Sequence, residues 1–143
     1  MKKHSSLLAI FLIAGFISFA QHSKKIEVPS AVKSSLKAQY PEASNVTWEK
    51  EKGNYEANWG GKSGEDNSVM YTPAGDFIEI VKAIPVSQLP APVIAYVKAH
   101  YKGVKITEAG KVTDAKGKLS YEAEVNHKDI IFDEKGNFVK AEH

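Results

Sequence analysis

Asn54-Tyr55-Glu56-Ala57-Asn58-Trp59 and Leu119-Ser120-Tyr121-Glu122-Ala123-Glu124-Val125 are the two stretches whose reading decides the fold. In the first, Tyr55, Ala57 and Trp59 alternate with Glu56 and Asn58; in the second, Leu119, Tyr121, Ala123 and Val125 alternate with Ser120, Glu122 and Glu124. Side chains along a strand point to opposite faces with period two, so each stretch reads as a half-buried antiparallel strand, one face packed and one wet. Val46 and Trp48 continue the alternation upstream with Thr47 and Glu49. Lys52-Gly53-Asn54 and Lys116-Gly117-Lys118 read as hairpin turns. Pro73-Ala74-Gly75-Asp76 and Glu134-Lys135-Gly136-Asn137 read as turns with glycine where positive φ is needed.

Upstream of each strand region the apolar period changes from two to about four. Val32, Leu36 and Tyr40 recur every four residues, as do Val93, Val97 and Tyr101, which gives two helices one apolar stripe each. Pro29 and Pro90 open them at a position whose N–H has no intrahelical partner. Pro41 stops the first and Gly103 follows the second, so the helices are expected at 29–39 and 90–101.

The likeness of the two halves extends residue by residue. A shift of 61 residues aligns Pro29 with Pro90, Val32 with Val93, Leu36 with Val97 and Tyr40 with Tyr101. The same shift aligns Tyr71 with Phe132, Gly75 with Gly136, Phe77 with Phe138 and Ile78 with Val139. Between these blocks Tyr55-Glu56-Ala57 matches Tyr121-Glu122-Ala123 at a shift of 66, as loop-length variation between repeats produces. The expected fold class is α+β: two tandem repeats, each one helix followed by a four-stranded antiparallel sheet, packed as one bipartite domain. A unit of about 60 residues buries too little surface to stand alone, so the copies are expected to share one core or one continuous sheet.

The N-terminus reads as an address. Lys2, Lys3 and His4 precede an apolar run from Leu7 to Ala20, and Ser18 and Ala20 supply the small residues of a signal-peptidase site. The run is shorter than the roughly 20 residues that span a bilayer. Cleavage is expected before Gln21, giving a signal peptide at 1–20, a disordered segment at 21–27 and repeats at 28–84 and 85–143. The expected destination is the periplasm or the exterior, with no membrane segment after cleavage.

The precursor carries 19 basic residues, all lysine, against 17 acidic ones. Losing Lys2 and Lys3 leaves a formally neutral chain. With no arginine and no basic stripe, nucleic-acid binding is set aside. The absence of cysteine removes disulfides, thiolate metal sites and cysteine nucleophiles, leaving the core to hold the fold.

Twice the chain presents apolar-Pro-x-x-apolar, an aromatic at the helix end, a Tyr-Glu-Ala strand, then aromatic-x₃-Gly-x-Phe. This pattern resembles the PepSY-like, β-lactamase-inhibitor-like family of small exported bacterial proteins, over residues 28–141. The resemblance implies tandem helix-plus-four-strand units, brings no shared catalytic residues, and implies by architecture the binding of a partner protein on the sheet.

No motif carries recognisable catalysis. The histidines lack i,i+4 or His-x-His spacing, and His127 with Asp129 reads as a surface turn rather than a metal site. Asp133-Glu134-Lys135-Gly136-Asn137 lacks calcium-loop spacing. Gly60-Gly61-Lys62-Ser63-Gly64 lacks the upstream glycine and following helix of a phosphate loop. Glu56, Glu122 and Glu124 are placed on a solvated strand face among lysines; a hydrolase built from them would need two to converge in a pocket. Tyr55 and Tyr121 read as core. Trp59, beside a glycine-rich loop, suits a core position and an interface anchor equally.

The reading is therefore a non-enzymatic module, with no cofactor and no metal, binding an envelope or secreted protein. Trp59, Lys62, Glu65, Asp66, Glu56, Glu122 and Glu124 are the candidate contacts. A small-ligand or metal-binding envelope protein is the alternative.

Overall fold

The computed structural model describes residues 25–142. The expected signal peptide, its cleavage site and residues 21–24 lie outside the described residues. Helix α1 (Ser30–Gln39) leads into strands β1 (Thr47–Glu51), β2 (Asn54–Trp59), β3 (Asn67–Tyr71) and β4 (Phe77–Ala83). A 3-10 turn at Val86–Gln88 connects to α2 (Ala91–His100). Strands β5 (Ala109–Asp114), β6 (Leu119–Val125), β7 (Lys128–Asp133) and β8 (Phe138–Glu142) follow.

Proline sits immediately before each helix: Pro29 and Pro90 hold φ −54°, and the Pro29 carbonyl accepts from Lys33 N–H at 3.2 Å. Each helix ends on its tyrosine, Tyr40 or Tyr101, whose extended φ leaves the helical region. The buried pairs Val32/Leu36 and Val93/Val97 are the apolar stripes. Burying each such side chain is worth about 1.5–3 kcal/mol relative to exposure. Under α1 lie Tyr55, Ala57, Trp59, Val69, Tyr71 and Ile80. Under α2 lie Ala109, Ala123, Val125, Ile130 and Phe132.

The expectation of two units, each with its own four-stranded sheet, is overturned. All eight strands form one antiparallel sheet in the order β1 to β8, and β4 pairs with β5 from Glu79↔Asp114 to Ala83↔Gly110. The physical reason is the edge. Two separate sheets would leave β4 and β5 with unpaired backbone N–H and C=O groups, whereas joining them satisfies both.

Both helix cores lie on one side of this sheet, and among the described residues the other side carries no helix. Register arranges that second face in rows. Glu56, Met70, Glu79 and Asp114 stand side by side in one, and Asn58, Ser68, Val81, Val112 and Ser120 in the next. Gly110, Glu122, Ile131 and Lys140 form a third, and Glu124, Asp129 and Glu142 a fourth.

The sheet rolls toward this face. Glu51 on β1 acts electrostatically on Asp129 on β7, and Glu51 and Glu142 both act on Glu79 on β4. From β1 to β7 is six strand spacings, about 29 Å if the sheet were flat, far beyond the roughly 10 Å over which charges act in salt. Bulges at Met70/Tyr71 and Ile131/Phe132 supply local bending.

Candidate functional site

The helix-free face was expected to be wet and is dry, which corrects the solvated placement of Glu56, Glu122 and Glu124. Glu56 and Glu122 are each 3% exposed and Glu79 5%; Glu124 and Asp129 are also buried. Period-two alternation distinguishes faces but cannot say that a sheet will roll over its polar one. Met70, Val81, Val112 and Ile131 fill the space between the carboxylates.

Some of these carboxyl groups have partners. The Ser68 hydroxyl donates to Glu56 Oε1. Thr107 Oγ1 donates to Glu124 Oε1 at 2.7 Å, and Lys140 Nζ donates to Glu142 Oε1 at 2.6 Å. By contrast, Glu122 Oε2 and Glu79 Oε1 are buried without a hydrogen-bond partner. An unsatisfied buried polar group is expensive, and such groups call for a specific explanation.

Glu122 owes its position to a glycine. A Cβ built on Gly110 would lie 2.6 Å from Glu122 Oε1 and 2.8 Å from Val81 Cγ1. The Glu122 carboxyl therefore lies over Gly110 on the neighbouring strand, held on the helix-free face.

Desolvation dominates the electrostatics. It raises the Glu56 carboxyl to about 7, helped by Glu49, Glu51 and Glu65 and opposed by the Ser68 hydrogen bond. It raises Glu79 to about 8, with Lys140 opposing and Glu142, Asp114 and Glu51 adding. Asp129 rises to about 6 by the same burial, with Glu124, Glu142, Glu108 and Glu51 adding. Glu122 is held well above the carboxylate range by burial first, then by Asp129, Glu79, Glu56 and Glu108.

Lys140 on β8 pairs with Glu142 on this face, and further positive charge lies on the helices. Helix α1 carries Lys33 and Lys37, α2 carries Lys98 and His100, and neither contains an acidic residue. The formally neutral mature composition thus conceals a separation of charge across the sheet.

The remaining candidates divide. Trp59 faces the helix side, 5% exposed, its ring 5.4 Å from that of Tyr40, so it fills the α1 core. Lys62, Glu65 and Asp66 lie in the β2–β3 loop, where Lys62 and Asp66 are exposed. Glu65 acts electrostatically on Glu56 and Glu108, which places the loop at the rim of the acidic face. Glu79 and Asp129 join the site without having been singled out for it. The available signal for Glu79 was a carboxylate inside the apolar run Ile78-Glu79-Ile80-Val81, the mark of a strand covered on both faces.

Asn126 and His127 both adopt positive φ, 53° and 59°, forming the two-residue turn between β6 and β7. Beside it Gly103, Lys105, Thr107 and Glu124 line a shallow depression with His127 at its lip. His127 is exposed while Asp129 is buried on the helix-free face. Among the described residues no three histidine or carboxylate groups are arranged to hold a metal ion. No helix among them is long and apolar enough to cross a membrane.

Solved structures with this architecture come from several Bacteroides species. One from Bacteroides eggerthii, described as a "putative periplasmic" protein, is 21% identical with a TM-score of 0.69, covering 81% of this chain and 88% of that one. A DUF2874 family protein from Bacteroides uniformis is 22% identical with a TM-score of 0.66, covering 79% and 87%. A BLIP-like protein from Bacteroides fragilis is 18% identical with a TM-score of 0.63, covering 83% and 88%. At these identities the likeness establishes the fold. No curated protein gives a significant match. The family model described as "Putative beta-lactamase-inhibitor-like, PepSY-like" matches twice, over residues 22–79 and 62–140. Those two matches take in nearly the whole described chain, which therefore belongs to the PepSY-like, β-lactamase-inhibitor-like family.

Proposed function

We propose that this protein is an exported, periplasmic, non-enzymatic module that binds a partner protein on the helix-free face of its sheet. Glu56, Glu122 and Glu124 form the floor of that surface, and Lys62, Glu65 and Asp66 its accessible rim. The observation that carries the reading is the face itself, where buried carboxylates gather under the roll of the sheet with both helices on the opposite side. The inhibitor-like family name and the periplasmic description of the Bacteroides eggerthii relative support partner binding and export. Catalysis is unsupported because the carboxyl groups are packed against Met70, Val81 and Val112 rather than opened to a cleft.

The test is capture from envelope and secreted fractions of the host on the immobilised protein. A Glu65→Lys/Asp66→Lys variant should lose a partner that a Lys33→Glu/Lys37→Glu variant on α1 retains. Retention by the rim variant together with loss by the helix variant would move the interface to the other side of the sheet. Empty capture from both fractions would reject a protein partner.

A further inference from the structure

The orphaned oxygens say what kind of group the face lacks. Glu122 Oε2 and Glu79 Oε1 have no hydrogen-bond partner, on residues only 3% and 5% exposed. Their strands, β4 and β6, are separated by β5, and their partners on it, Asp114 and Gly110, are four residues apart, so the two backbones stand roughly 16–17 Å from each other. A hard cation draws its oxygen ligands to within roughly 2.0–2.6 Å of one point, and the described residues hold no such convergence of three groups. A partner that pairs both groups brings donors at two well-separated points, and positive charge there favours the ionised form of each carboxyl group. Lysine ammonium and arginine guanidinium groups, with three and five N–H donors, meet that description.

The way in is set by the edges. No residue of β1 or β8 is fully buried, whereas β2, β3, β6 and β7 each bury four or more. Elements with so little buried contact open first. These two strands are also the ones whose Glu51 and Glu142 reach over the face toward Glu79. Opening them exposes the carboxylates and gives up the packing of Trp48 at the margin of the α1 core and of Phe138 on Tyr96 and Phe132.

Resting on the binding reading above, we propose that the partner presents an extended segment bearing lysine or arginine residues. The segment enters between β1 and β8, and its cations bond the Glu79 and Glu122 carboxylates. The separation of charge across the sheet makes the helix-free face the complementary one. In a polyproline-type segment, residues five apart are separated by about 15–16 Å, so cations five positions apart match the spacing of the Glu79 and Glu122 backbones.

The probe is a synthetic peptide with lysine at every fifth position, titrated calorimetrically into the purified protein at pH 7.5; a peptide with glutamate at those positions is the control. The lysine peptide should bind, weaken tenfold or more between low salt and 0.5 M salt, and lose tenfold or more against Glu79→Gln/Glu122→Gln. Glutamine keeps the shape of both side chains and removes a buried ionisable group, and a thermal melt verifies that the variant is folded. The glutamate peptide should give no heat. Lysine-peptide binding that is absent, or equal for the native and double-glutamine proteins, overturns the proposal. If capture yields a partner lost with the rim variant while the lysine peptide gives no heat, the binding face stands and its cationic ligand class falls. If neither a partner nor the peptide binds, both fall.

Discussion

Gly110 is the residue on which the acidic face depends most directly. Its backbone does not need positive φ; it needs the absence of a Cβ, since one would meet the Glu122 carboxyl at 2.6 Å and Val81 at 2.8 Å. The side chain of Glu122 is the more adaptable neighbour, but it has little room, being buried beside Ile131 on β7. Gly110→Ala should therefore destabilise the protein by about 1–3 kcal/mol, the usual result of overpacking. The cause is separable by a double-mutant cycle. In a Glu122→Ala background the same change should cost at least about 1 kcal/mol less, because the displaced carboxyl is gone. Chemical denaturation of the four proteins measures this. Equal losses in both backgrounds would assign the cost to Val81 and the backbone instead.

At the scale of elements, each helix is clamped by a turn from the far end of its own strand set. Ser35 on α1 donates to the Gly75 carbonyl at 2.7 Å, and a Cβ on Gly75 would lie 2.8 Å from the Ala31 carbonyl oxygen. Gly136 sits likewise against α2, its built Cβ 3.1–3.3 Å from Pro92, Pro90 and Val93. Gly53 shares the positive φ of Gly75, 88° in both, yet has nothing within 4 Å of its built Cβ. Gly53→Ala therefore registers the conformational penalty alone, about 1 kcal/mol. Gly75→Ala adds a collision with the helix backbone and should lose about 2–4 kcal/mol. Thermal melts that rank the two equally would refute the clamp. These elements were largely legible beforehand. Proline starts and four-residue apolar spacing place the helices at 29–39 and 90–101, within one residue of α1 and α2 at each end. The pairing of β4 with β5 was not legible, because alternation tells which face a side chain takes and not which strand lies beside it.

The whole molecule carries a pH dependence that follows from its rolled shape. Glu56, Glu122 and Glu124 were visible as alternating carboxylates, but their dryness arises only when β1 and β8 are carried over the face, and no local pattern encodes that contact. In the folded chain Glu56, Glu79 and Asp129 rise to about 7, 8 and 6, and Glu122 lies well above its ordinary range. Unfolded, these groups return to ordinary values of about 4 to 4.5. From the unfolded to the folded values, the native state holds more protons than the unfolded one, so stability must fall as pH rises. The stabilisation is fully present below about pH 4 and is withdrawn as pH passes through 6, 7 and 8 in turn. Asp133, lowered by its hydrogen bonds to Asn137, acts with the opposite sign only below this window. Each pH unit over which one group remains protonated only when folded is worth about 1.4 kcal/mol, and coupling among neighbours makes the sum smaller than the parts. A loss on the order of 4 kcal/mol between pH 5 and pH 8 is expected, lowering the melting temperature by about 15 °C. Glu79→Gln/Glu122→Gln removes Glu79, which rises to about 8, and the fully desolvated Glu122, so its melting temperature should fall no more than about half as far over the same range. A native melting temperature that is flat or rises from pH 5 to pH 8 would mean that the carboxylates are hydrated in solution and that β1 and β8 stand open.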